Sequence, residues 1–400
     1  MGLSIALLTD GIFPFVIGGM QKHSYYLAKY LVLNGIKIDL FHCVNHENKI
    51  PSEEEVFSAL FGEENEATKT AAKQHFKQTC IHFPKNGKLP GHYIRNSYRY
   101  SELLFNEIKP SLNDYHFIYA KGFCACKLLK EKRKGLICAP VGVKFHGLNM
   151  FQKAASFKSK LEHLMFRPAV KLNMHYADYV FSYGSKITNL HLSIGVLREK
   201  VIELATGIEK NWISQKFENH TPIRFLFIGR YERLKGIEEL NQAIEILLKK
   251  NKPFEFHFIG PISKKHQLKS KNITYHGVIM DKTRLSEKIK QCDVLVCPSY
   301  SEGMPNVIME AMAMGLTVIA TDVGATNLLV NNENGWLISS PKITEIVSAM
   351  EQAINLLPHE ISVKKKKSTE HISENFTWDK IALQTIEEIK KRSSLFRDNR

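Results

Sequence analysis

The chain has seven cysteines (43, 80, 124, 126, 138, 292 and 297) but no Cys-x-x-Cys pair. Several sit inside apolar runs, so free, structural thiols in a reducing compartment are expected. There is no Gly-Lys-Ser/Thr phosphate loop, no Gly-x-Ser-x-Gly elbow, no His-Glu-x-x-His and no Gly-x-Gly-x-x-Gly. Kinases of the P-loop type, serine hydrolases, zinc proteases and dinucleotide enzymes lose their sequence anchors. No Asp-x-Asp is present to hold a divalent ion, and the 17 histidines are scattered without ligand spacing. Neither a metal nor a cofactor is expected. The longest apolar stretch, around 311–320, falls far short of a membrane span. Residues 3–9, Leu-Ser-Ile-Ala-Leu-Leu-Thr, lack a basic lead and are stopped by Asp10, which reads as a buried first strand rather than a signal peptide. A cytoplasmic protein is expected, or one held peripherally on the inner face of the plasma membrane.

What is present begins with size. With 400 residues and 44% hydrophobic content, the chain exceeds one ordinary core, so two domains are expected. The net charge of +15 is unevenly spread. Residues 121–200 carry fifteen Lys/Arg against four Asp/Glu, while 47–66 carry seven Glu against one Lys. A basic face is open between nucleic acid, anionic lipid, an acidic acceptor and mere solubility. Basic and aromatic residues interleave at Tyr93, Arg95, Tyr98, Arg99 and Tyr100, and again at Lys144, Phe145, Phe151, Lys153, Phe157 and Lys158. That pattern suits an anionic bilayer, or an ordinary mixed surface.

Strand and helix patterns alternate twice along the chain. The first series runs strand 3–9, a loop containing Gly18-Gly19, helix 21–33 with its apolar stripe Tyr26, Leu27, Tyr30, Leu31, and strand 36–41. An acidic insertion at 47–80 shows weak helical signals and is expected to be a mobile flap. Strands follow at 117–120, 136–143 and 179–182. The second series runs strand 223–229, helix 236–249, strands 254–259 and 273–278, helix 284–291, strand 294–297, a Glu-bearing helix and strand 317–321. Such alternation means α/β architecture with doubly wound parallel sheets. The expected units are 1–205, a hinge at 206–222, a second domain at 223–376 and a last helix at 377–392.

The most informative segment is 298–321, Pro-Ser-Tyr-Ser-Glu-Gly-Met-Pro-Asn-Val-Ile-Met-Glu-Ala-Met-Ala-Met-Gly-Leu-Thr-Val-Ile-Ala-Thr. It places Glu302 in a tight loop and Glu310 in the helix that this loop opens. Pro305 is expected at the first helical position, leaving the amides of Gly303, Met304 and Asn306 at a positive helix end. That is a seat for an anion, and carboxylates on either side can accept hydrogen bonds from hydroxyls. A diphosphate carrying a sugar and a ribose fits it. Next comes Gly229-Arg230-Tyr-Glu-Arg-Leu-Lys235-Gly236, a strand end whose loop offers a guanidinium and an ammonium where open α/β sheets bind ligands. The alternative is that Arg230 and Lys235 are solvated or pair with Glu232 or Glu238. Gly18-Gly19 permits close backbone approach to a ligand, although an ordinary loop explains it equally. His146 follows the apolar run 137–143 at a strand's carboxyl end, open between a structural and a catalytic role.

Together these segments resemble the GT-B retaining glycosyltransferases of family four (glycosyl transferases group 1). Residues 298–321 match that family's two-Glu consensus nearly throughout, with Leu316-Thr317 where Xaa-Pro is usual; residues 229–236 match its phosphate loop. Gly18-Gly19, His146 and Phe376-Thr377-Trp378 are also similar. The resemblance implies two Rossmann-like domains facing a central cleft, a last helix crossing back to the first domain, and metal-independent transfer of a hexose from a nucleotide-diphosphate sugar. UDP-hexose is favoured over GDP-mannose, and the acceptor implied is a lipid-linked glycan or polysaccharide precursor. It further implies that Arg230, Lys235 and the helix end stabilise the departing diphosphate, that Glu310 binds ribose hydroxyls, that Glu302 with Gly303, Met304, Pro305 and Asn306 orients the sugar, and that His146 contacts its hydroxymethyl end. The backbone near Val278 and Ile279 is expected to serve base recognition. Leu204-Ala-Thr-Gly207-Ile-Glu209 departs from the family pattern, which argues against a donor-facing role for that loop. Two alternatives remain: a sugar-nucleotide epimerase on the same fold, and a basic nucleic-acid-binding α/β protein. The second leaves Glu302 and Glu310 without a task, since carboxylates repel phosphates, and no nucleic-acid partner is expected.

Overall fold

Runs such as Ser4–Leu8 and Val294–Cys297 are buried throughout, as strands are in a parallel sheet with helices on both faces. The computed structural model describes residues 2–85 and 91–398. Its first sheet contains β1 (Ser4–Leu8), β2 (Lys37–Val44), β3 (Phe76–His82), β4 (Phe117–Lys121), β5 (Val141–Lys144), β6 (Tyr179–Ser182) and β7 (Val201–Glu203), in the order 3-2-1-4-5-6-7. The second contains β8 (Ile223–Ile228), β9 (Phe254–Ile259), β10 (Ile273–Tyr275), β11 (Val294–Cys297), β12 (Thr317–Thr321) and β13 (Gly335–Ile338), in the order 10-9-8-11-12-13. Every pairing is parallel. The expected pair of doubly wound domains is what the chain forms.

Each sheet has one place where strand order reverses. β1 pairs with both β2 and β4, and β8 with both β9 and β11. Crevices open beyond the carboxyl ends of strands at such points. The loops after β1 and β4 in one domain, and after β8 and β11 in the other, are therefore the natural walls of a cleft. An apolar core is continuous between the domains through Ile208, Trp212, Met304 and Ile308.

Three local expectations need correction. The acidic insertion is not a flap: helices Glu53–Phe61 and Glu66–His75 lead into β3, which pairs with β2 over seven residues. Val56, Leu60, Phe61, Ala72 and Phe76 are buried, so the acidic residues form only the outer face of an amphipathic cover. The strand expected at 136–143 spans only Val141–Lys144, because Pro140 cannot donate to the ladder and residues 136–140 stay irregular. Pro305 caps the Glu-bearing helix, Asn306–Ala313, instead of starting it; its ψ of 113° is still extended.

The last helix, Trp378–Asp398, leaves the second domain and lies on helix Gly19–Leu33 of the first. Trp378 is buried with its ring stacked against Tyr26 and Tyr30. Ile208 anchors the crossing, donating to Phe376 O at 2.8 Å and accepting from Trp378 N at 3.0 Å.

Candidate active site

In the second domain, β8 ends at Ile228 and the chain turns through Arg230 and the short turn Arg233–Lys235 into helix Ile237–Lys249. Gly236 makes that turn at φ 65°, and a Cβ there would lie 2.0 Å from the Pro298 carbonyl oxygen. Only glycine lets the two ligand loops nest. Nesting brings Lys235 Nζ to 2.7 Å from Glu302 Oε1, which also accepts from Ser299 Oγ at 2.7 Å. Burial opposes the Lys235 charge, but the Glu302 carboxylate, together with Cys297 and Glu232, holds the ammonium pKa above its usual value. Arg230 behaves differently. It stands largely exposed on the rim and pairs with Glu232 at 3.1 Å, the alternative left open by the sequence.

The first domain supplies the opposite wall. Gly19 opens helix Gly19–Leu33 beside Asn306, and one turn on Lys22 Nζ reaches Glu310 Oε1 at 3.4 Å. After β5, His146 is half-buried, with Nδ1 2.5 Å from the Tyr183 hydroxyl and Nε2 3.5 Å from Lys121 Nζ. Lys121 in turn lies 2.7 Å from His23 Nδ1. Burial, with the positive charges of Lys121 and Lys144, pushes both imidazoles well below their ordinary pKa, and burial with Lys144 lowers Lys121. The chain Tyr183–His146–Lys121–His23 is thus a hydrogen-bonded group biased against positive charge, with both His146 nitrogens directed at protein atoms.

Backbone contact closes the cleft. Gly147, at φ 74°, and Gly303 pass so closely that a Cβ on Gly303 would lie 2.8 Å from Gly147 N. Gln152 Nε2 donates to Glu302 O at 2.6 Å, and Ser301 Oγ donates to Asn149 Oδ1 at 2.9 Å. Between these walls is a cavity of about 400 Å³ lined by Gly19, His146, Arg230, Lys235, Glu302 and the 303–306 loop. A second of about 220 Å³ is lined by Lys22, Tyr26, Glu209, Ile279 and Glu310. His23 and Asn306 line both. Glu302 and Glu310 therefore serve adjoining compartments of one cleft. Gly18 lies just outside, capping the Gly19 helix, and Val278 is 58% exposed and lines neither cavity. Ile279 lines the smaller one together with Met280 and Leu285.

A family profile described as "Glycosyl transferases group 1" matches residues 222–355. The chain carries a group 1 glycosyl transferase domain. A putative teichuronic acid biosynthesis glycosyltransferase of Bacillus subtilis is 36% identical over 135 residues, 34% of this chain and 33% of the relative. The first three curated relatives are matched over only a third to a half of their own length. Across the whole chain, sucrose-phosphate synthase from Thermosynechococcus elongatus superposes with a TM-score of 0.73 at 18% identity, covering 99% of this chain and 100% of that one. The trehalose-6-phosphate structure from E. coli bound with UDP-2-fluoro glucose gives 0.70 at 14% identity, covering 97% and 99%. The architecture is the GT-B fold.

In this glycosyltransferase domain and its partner wall, several residues emerge that sequence reading passed over. Lys22, His23, Lys121 and Tyr183 are distant in sequence from the motifs they touch. Lys121 had a signal: it ends the apolar run 117–120 at the sheet's carboxyl edge. The 204–209 loop, set aside because it departs from the family pattern, lines the smaller cavity through Thr206, Gly207, Ile208 and Glu209. Glu209 accepts from Tyr26 OH at 3.0 Å and Lys282 Nζ at 2.6 Å, tying the two domains beside Glu310. Among the described residues no three His, Cys, Asp or Glu side chains are grouped to hold a metal ion, and no helix is long and apolar enough to cross a membrane.

Proposed function

We propose that the protein is a hexosyltransferase that takes a sugar from a nucleotide diphosphate, UDP-hexose before GDP-mannose, and passes it with retention to a hydroxyl of a lipid-linked glycan or polysaccharide precursor. The observation that carries this reading is the Lys235–Glu302 pair set against the 303–306 loop and facing His146 across one cavity. A cation, a carboxylate and a helix end converge where a sugar diphosphate would place its charge and its hydroxyls. The Bacillus subtilis relative, named for teichuronic acid biosynthesis, supports a polysaccharide setting.

Breaking the anomeric C–O bond leaves positive charge on the sugar and negative charge on the diphosphate. Lys235, Arg230 and the amides opening helix Asn306–Ala313 stabilise the leaving group electrostatically, without need of a metal. An arriving diphosphate competes with Glu302 for Lys235, and the released carboxylate turns to the sugar hydroxyls. Glu310, with Ile279 in the same compartment, takes the ribose side. The acid lining also disfavours the nucleic-acid alternative, because Glu302 and Glu310 would face phosphates. The test is incubation with UDP-glucose, UDP-galactose and GDP-mannose, a bacterial glycolipid fraction and EDTA. A product with the donor's anomeric configuration supports the reading. Inversion, or strict dependence on added metal, overturns those parts of it; failure to consume any nucleotide sugar overturns the whole.

A further inference from the structure

Helix Phe157–Tyr176 follows Gln152, the residue that latches the two domains at Glu302, after only three intervening residues and the N-cap Ser156. Its inner face is set by Val170, Asn173 and Met174, which are buried. Its outer face is also apolar. Phe157 is 83% exposed and Leu161 58%, and Leu164, Met165 and Leu172 are exposed as well. At about 100° per residue, these five and Pro168 fall within an arc of about 100°, opposite the buried positions. Lys158, Lys160 and Lys171, all exposed, and Arg167 flank that arc, against one acidic residue, Glu162.

A stripe of large apolar side chains between lysines is not what a solvated surface needs, and such patches mark an interaction face. The charge selects the occupant. In a symmetric dimer the same patch meets itself, so these lysines would oppose one another. An anionic bilayer instead accepts the apolar stripe among its acyl chains while the flanking ammonium groups reach the headgroups. We infer that helix Phe157–Tyr176 is an interfacial helix that seats the first domain on an anionic lipid surface, beside the loop that closes the cleft. A lipid-linked acceptor then reaches the cleft from the bilayer; that consequence rests on the glycosyltransferase reading, whereas the lipid contact does not.

Flotation of the full chain with phosphatidylcholine vesicles, with and without phosphatidylglycerol, tests this. The wild type is expected to float with the anionic vesicles only, and more weakly as salt rises. Leu161→Asp/Leu164→Asp, which alters exposed positions alone, is expected to lower partitioning roughly tenfold or more, and Lys158→Glu/Lys160→Glu/Lys171→Glu to remove the salt dependence. Thermal stabilisation by nucleoside diphosphate and hydrolysis of the donor in water, read on the same variants, should match wild type. Failure of the wild type to float at low salt, or equal flotation of the aspartate variant, overturns the inference. So does a dimer seen by analytical ultracentrifugation that the aspartates dissolve, since the occupant is then a second copy. Flotation without use of any nucleotide sugar would overturn the glycosyltransferase reading and leave the lipid contact standing.

Discussion

Lys235 and Glu302 pair at 2.7 Å, and in the proposed reaction a diphosphate separates them. If Lys235 stabilises the leaving group as proposed, Lys235→Met is expected to lower kcat by about 100- to 1000-fold. Glu302→Gln keeps the shape and the contact with Ser299 but removes the charge. It is expected to weaken transfer while allowing a tighter nucleoside diphosphate, because Lys235 is no longer occupied; steady-state kinetics and calorimetry separate these effects. Other single residues govern stability. Burial lowers the pKa of both His42 and His191 to about 4, against 6.5 when unfolded. Between those values the unfolded chain binds more protons, so stability is full above pH 6.5 and falls as pH drops toward 4. Each imidazole contributes up to about 3 kcal/mol to that loss. Urea unfolding at pH 7 and pH 5 should show it, and His42→Gln should shrink the difference.

Elements were legible in the sequence where pattern and chemistry coincide locally. Strand β8, its loop and helix Ile237–Lys249 could be read because an apolar run, Gly229, two cations and Gly236 fall within one continuous stretch. The segment from Pro298 to Thr321 was readable for the same reason. The acidic insertion was misread because its five buried apolar residues are diluted by surface glutamates, so composition outweighed periodicity. His146 could be singled out, but its partners Lys121, His23 and Tyr183 escaped because their contacts join helix Gly19–Leu33 to β4 and to the segments after β5 and β6, which no local pattern reveals. A run of four lysines at 364–367 hides another case. Lys365 alone turns inward, with Nζ 2.6 Å from Asp293 Oδ1 and both side chains about 1% exposed. Asp293 also accepts from Arg224 N at 2.8 Å, so the pair binds helix Pro358–Asn375 to β8 and β11. Lys365→Met strands a buried carboxylate and is expected to cost about 3–5 kcal/mol, whereas Lys366→Met on the exposed side should cost little. Gly236→Ala should cost about 2–4 kcal/mol through its left-handed backbone and the clash with Pro298, with loss of nucleotide binding as the loops separate. Thermal unfolding of the three variants checks both statements.

At the scale of the molecule, two sheets that each reverse strand order place four loops around one cleft, and the last helix ties the domains together behind it. Cations, carboxylates and a helix end from one domain face two imidazoles of the other, His23 and His146, that burial and neighbouring lysines bias toward the uncharged form. In the proposed function this cleft grips the diphosphate of a nucleotide through Lys235. Thermal shift of the full chain with UDP, GDP and ADP, with and without EDTA, in wild type, Lys235→Met and Glu310→Gln, tests it most directly. Stabilisation by one of the three nucleotides is expected, unchanged by EDTA and lost or sharply reduced in both variants. No shift with any nucleotide, or a shift that survives Lys235→Met intact, would contradict it.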